Sequence, residues 1–75
     1  MNTTYSISKN VLVLDENSIF ITYGIRADNE NGELISEFRD VSVNRSFTER
    51  VIKLLNDCKV EPCHFFEVVT DELNR

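Results

Sequence analysis

Two hydrophobic periods divide this chain. From Val11 to Val43 the apolar residues follow a strand rhythm, and from Ser46 onward they recur every three or four positions. Val11-Leu12-Val13-Leu14 is a short apolar run closed by the turn cluster Asp15-Glu16-Asn17-Ser18. Ile19, Ile21, Tyr23, Ile25 and Ala27 then alternate with Phe20, Thr22, Gly24 and Arg26, which predicts a second strand with one core-directed face. Asn31-Gly32 marks a hairpin, because both residues tolerate positive φ, and Glu33 to Val43 forms the return strand. A two-residue turn there sets Ile25 opposite Phe38, Arg26 opposite Glu37 and Thr22 opposite Val41. The same register puts Glu30 opposite Glu33, a like-charge pair that a longer loop would relieve. Gly24 has no turn signal around it, so a bulge or close packing outweighs a role in ligand approach.

The helical part starts from Ser46-Phe47-Thr48-Glu49, which has the spacing of a capping box. Phe47, Val51, Leu54, Leu55 and Cys58 share one stripe, with Arg50, Lys53, Asn56 and Asp57 off it. Glu61 precedes a proline and is pushed out of the α region, so the first helix ends near Cys58 or Lys59. Pro62 suits the first position of a second helix, on which Pro62, Phe65, Phe66, Val69 and Leu73 cluster. His64, Glu67 and Asp71 take its opposite side, and Val68 falls off the main stripe. The expected fold is one α+β domain over residues 1–75, ordered β-β-β-α-α. A three-stranded antiparallel meander (11–43) is followed by a two-helix hairpin (46–74) packed on one face.

At 75 residues the core must be thin, so some further source of stability is expected. A net charge of −5 with scattered basic residues argues against a nucleic-acid backbone as ligand. No run approaches the ~20 apolar residues of a membrane helix, and the start lacks the basic and apolar regions of a secretory signal. A cytoplasmic location is expected, with Cys58 and Cys63 as reduced thiols.

Those thiols and His64 lie at the elbow between the helices and are the only candidate metal ligands of soft or imidazole type. A structural zinc site needs four ligands at suitable spacing. Here the cysteines stand alone, and successive residues of a helix diverge by about 100°, so no metal or other cofactor is expected. Cysteine–histidine catalysis fails on the same geometry. Asp28 to Glu33 departs from a calcium loop, since Gly32 takes the fifth position where a side-chain ligand belongs.

Tyr23-Gly24-Ile25, Asp40-Val41-Ser42, the capped helix, Pro62-Cys63-His64-Phe65, Val68-Val69 and Asp71-Glu72-Leu73 together resemble a family of small uncharacterised proteins from clostridial-type Gram-positive bacteria. The resemblance implies a cytoplasmic bacterial protein and brings no catalytic residues. What the residues themselves offer is surplus apolar surface. It lies on the N-terminal strand, apolar on both sides with Val11 and Val13 opposite Leu12 and Leu14, and on the sheet's second face, which carries Phe20, Ile35, Val41 and Val43, with Val68 added from the second helix. In a thin-cored domain this favours a non-enzymatic, self-associating module, a homodimer or a complex with a protein partner. A small ligand or metal binder using Cys58, Cys63 and His64 is the alternative.

Overall fold

The computed structural model describes residues 2–75. Strands β1 (Thr4–Asp15), β2 (Ser18–Asp28) and β3 (Leu34–Ser42) form an antiparallel sheet in sequence order. Helix α1 (Arg45–Asp57) follows, then a 3-10 turn at Pro62–His64 that runs into α2 (Phe65–Leu73). The fold is the expected α+β arrangement of three strands and two helices.

The sheet begins at Thr4, seven residues earlier than the apolar run at Val11 suggests. The signal for this extension is the alternation of Tyr5 and Ile7 with Ser6 and Ser8. Its consequence is large, because Tyr5 becomes a core residue at 2% exposure. Tyr5 packs on Phe65 at 5.1 Å between ring centroids, and its hydroxyl donates to the Val60 carbonyl at 2.6 Å. Phe38 meets Phe65 edge-on at 6.5 Å, and the other buried apolar residues are Ile25, Ala27, Val41, Val51, Leu55 and Val69. Thr48 is buried among them with its hydroxyl satisfied by the Asn44 carbonyl at 3.0 Å.

The β2–β3 register holds where it was most strongly specified: Ile25 faces Phe38 and Arg26 faces Glu37. It fails at both ends. The connection is a longer loop closed by Asn29, whose N–H donates to the Glu33 carbonyl at 2.9 Å. The Asn29 Oδ1 accepts from the N–H groups of Asn31 and Glu33. Gly32 takes φ 80°, and the Glu30–Glu33 opposition disappears. At the far end β3 bulges, so Ser42 rather than a residue further back stands opposite Tyr23, and Thr22 does not meet Val41. Asp40 sits at φ 54° in this bulge, and Val41 turns into the core at 6% exposure. Gly24 lies against the bulge: a Cβ there would stand 2.6 Å from the Phe38 carbonyl oxygen. Close backbone packing explains this glycine.

Helix α1 is capped two residues earlier than the Ser46–Glu49 spacing suggests. Asn44 is the N-cap, its side chain accepting from the Phe47 N–H at 3.1 Å. Asn takes the position because its short carbonyl reaches the first turn, while Glu49 pairs with Arg45 at 2.6 Å. The helix ends in a Schellman arrangement. Lys59 donates to Asn56 at 3.2 Å and Val60 to Leu55 at 3.0 Å, with Lys59 at φ 50°.

Candidate interaction surface

Helices α1 and α2 cover only one end of the sheet. Direct partners across an antiparallel pair share a face, so Tyr5, Ile7, Lys9, Val11 and Val13 line up with Ala27, Ile25, Tyr23, Ile21 and Ile19. The first of these pairs lies beneath the helices. The last two, Val11–Ile21 and Val13–Ile19, run past them. The opposite face of the same ribbon carries Leu12 against Phe20. Because β3 stops pairing at Tyr23, the ribbon beyond it is two strands wide and open on both edges. Seven large apolar side chains here, Val11 to Leu14 and Ile19 to Ile21, are exposed by 37% (Ile21) to 67% (Val13). At about 100 Å² each they present roughly 700 Å² of apolar surface divided between the ribbon's two faces, against the ~800 Å² that each partner contributes to a standard interface.

The edge of β1 is treated differently along its length. At Tyr5 it is closed by a side chain: the Tyr5 N–H donates to Asn56 Oδ1 at 3.0 Å, and Asn56 Nδ2 donates to the Tyr5 carbonyl at 3.0 Å. Asn56 thereby imitates the next strand. Both backbone groups of Tyr5 face outward, so by strand periodicity those of Ile7, Lys9, Val11 and Val13 do too. On the far face, Asn10, Leu12, Phe20 and Thr22 border a shallow depression with Arg39 and Asp40. The Thr22 hydroxyl donates to the Asp40 carboxylate there. Asn10 Nδ2 is buried and has no hydrogen-bond partner among the described residues.

The elbow brings no chemistry together. Cys58 is exposed at the C-cap of α1 rather than buried on its stripe, because the helix axis ends before that position reaches the core. Cys63 is exposed, with Sγ 3.9 Å from Glu61 Oε2, and His64 Nδ1 lies 3.5 Å from Glu67 Oε2 on an exposed helix face. Among the described residues no three His, Cys, Asp or Glu side chains lie together in a way that could hold a metal. Among the described residues no helix is long and apolar enough to cross a membrane.

A family model described as "Family of unknown function (DUF6514)" matches residues 1–75, the whole chain. The chain belongs to this family. No curated protein and no solved structure matches it significantly. Within this DUF6514 chain, the five residues expected to form an interface are distributed unevenly. Phe20 (45%), Ile35 (40%) and Val43 (60%) are exposed, Val68 is partly buried against the core, and Val41 is removed from any surface by the bulge. The surplus apolar surface of the N-terminal strand, Val11 to Leu14, is legible in the sequence, as is that of the sheet's second face. The ribbon's overhang could be found only by knowing where the helices stop.

Proposed function

We propose that this DUF6514 protein is a non-enzymatic module that acts by self-association through the overhanging β1–β2 ribbon. The carrying observation is the ribbon itself: two strands, apolar on both faces, with seven large side chains open to solvent. An isolated two-stranded ribbon is marginal in water, and monomers seldom expose a contiguous apolar patch of more than a few hundred Å². A membrane is a poor occupant, because the ribbon's leading end is Asp15-Glu16-Asn17-Ser18 and no Lys or Arg lies between Asn10 and Ile25. A protein surface that covers the flanks and leaves the acidic turn in water fits better. The expected compartment is the cytoplasm, where exposed thiols such as Cys58 and Cys63 remain reduced. Multi-angle light scattering of the purified chain at micromolar concentration tests the reading. A dimeric mass is expected, and a clean monomer sinks it.

A further inference from the structure

We propose that two copies join edge to edge through β1, antiparallel about a two-fold axis at Asn10, making one continuous six-stranded sheet. The inference rests on the self-association reading and adds to it an edge and a register. The available edge is bounded. Asn56 occupies the outward groups of Tyr5 at one end. At the other, a register shift between Val13 and Asp15 interrupts the regular β1–β2 pairing. Between these limits the outward positions are Ile7, Lys9, Val11 and Val13, whose midpoint is Asn10.

Three registers compete near that midpoint, and the side chains separate them. Centring the axis on Lys9 sets two ammonium groups directly opposite each other, which is unfavourable, and drives Val13 against the partner's Tyr5, whose edge Asn56 already fills. Centring it on Val11 leaves Ile7 facing the partner's Asp15, beyond the regular strand. Centring it on Asn10 pairs Ile7 with the partner's Val13 and Lys9 with the partner's Val11, so all four outward positions of each strand are used. Asn10 then stands opposite the partner's Asn10 as a non-hydrogen-bonded pair with Cα atoms about 4.5 Å apart. Two facing carboxamides can exchange N–H···O bonds once their side chains turn toward the axis, and Asn10 Nδ2, covered in the single chain, gives up no hydrogen bond among the described residues by doing so.

Charge and coverage agree with this axis. The antiparallel arrangement carries each acidic turn, Asp15-Glu16, toward the end of the partner sheet, where Lys59 borders a depression together with Asn56 and one carboxylate, Glu61. Lys59 takes part in none of the ion pairs among the described residues. The helix-side overhang, Val11, Val13, Ile19 and Ile21, is brought beside the partner's helical layer, which the single chain cannot offer it. The four strand positions of Lys9 and its neighbours also explain why the edge is not promiscuous: Lys is the usual guard of an open strand, and here it admits one register.

Oxidative cross-linking in a Cys58→Ser/Cys63→Ser background tests the register. Asn10→Cys should form a disulfide-linked dimer readily. Ser8→Cys alone should not, but an equimolar mixture of Ser8→Cys and Leu12→Cys should, since those positions face each other across the axis. Val11→Pro provides the second measurement. It removes an N–H that the single chain leaves unbonded, at a position where an edge strand tolerates proline, and should raise the dimer dissociation constant at least about tenfold. A dimer by light scattering in which Asn10→Cys fails to cross-link, or which Val11→Pro leaves intact, overturns the proposed edge while self-association stands. A monomeric wild-type chain overturns both. Should Val11→Pro fail to fold, the cross-linking pattern decides alone.

Discussion

At the scale of single residues, several polar side chains do work that hydrophobic patterning assigns to none of them. Lys59 is the clearest case. It occupies the left-handed C′ position of a Schellman motif at φ 50°, a place that glycine takes without steric penalty. Lys59→Gly should raise stability by about 1 kcal/mol, read as a shift of the urea midpoint at unchanged slope. Tyr5 carries a different consequence. Burial, with a smaller contribution from the nearby Cys63 thiol, raises its hydroxyl pKa above the usual 10.0. A raised folded pKa means the neutral phenol is the form the fold favours. The stabilisation is therefore complete below about pH 10 and is lost as pH climbs through the folded value. Tyr5→Phe should show a weaker alkaline loss as pH rises above about 10, measured by denaturant melts at a series of alkaline pH values. At neutral pH it should be less stable by about 1–2 kcal/mol, because the Val60 carbonyl loses its donor.

At the scale of elements, what was legible in the sequence is what local chemistry alone decides. Alternation located β2, the Pro62 step located the second helix, and the Ile25–Phe38 and Arg26–Glu37 pairs followed from the hairpin signal. The remainder depended on contacts far apart in the chain. Asn56 looked like an exposed helix residue until β1 reached it, fifty-one positions away in sequence. Gly24 signalled a bulge or close packing, and the β2–β3 register shifts there, but that Asp40 of β3 takes the positive φ could not be read from residue types. Gly24→Ala should accordingly cost about 2–4 kcal/mol, because the clash is with backbone and cannot be relieved by a rotamer change. The helix cap offers a sharper contrast. The spacing at Ser46 pointed to a cap two residues too late, and Asn44 is the residue whose side chain accepts from the helix. Asn44→Ala should lower stability by about 1 kcal/mol, whereas Ser46→Ala, already inside the first turn, should change it by less than about 0.5 kcal/mol. Thermal melts of the two variants side by side distinguish the caps.

At the scale of the whole molecule, the long dimension of 45 Å against a thickness of 17 Å is set by the ribbon that outruns the helices. Such a shape makes the two faces of the overhang inequivalent once the sheet is extended through β1. Both protomers keep their helices on the same side, so Val13 and Ile19 enter a layer bounded by helices, while Leu12 and Phe20 stay on the side that has none. Burial of apolar surface then favours the dimer from one face alone, at roughly 25 cal/mol per Å². Val13→Ser with Ile19→Ser should weaken the dimer by a factor of about one hundred or more, and Leu12→Ser with Phe20→Ser by less than about threefold. Sedimentation velocity over a concentration series measures both. Equal weakening by the two pairs would mean that the partner grips the ribbon from both sides, and the continuous sheet would then give way to an arrangement in which the ribbon is enclosed.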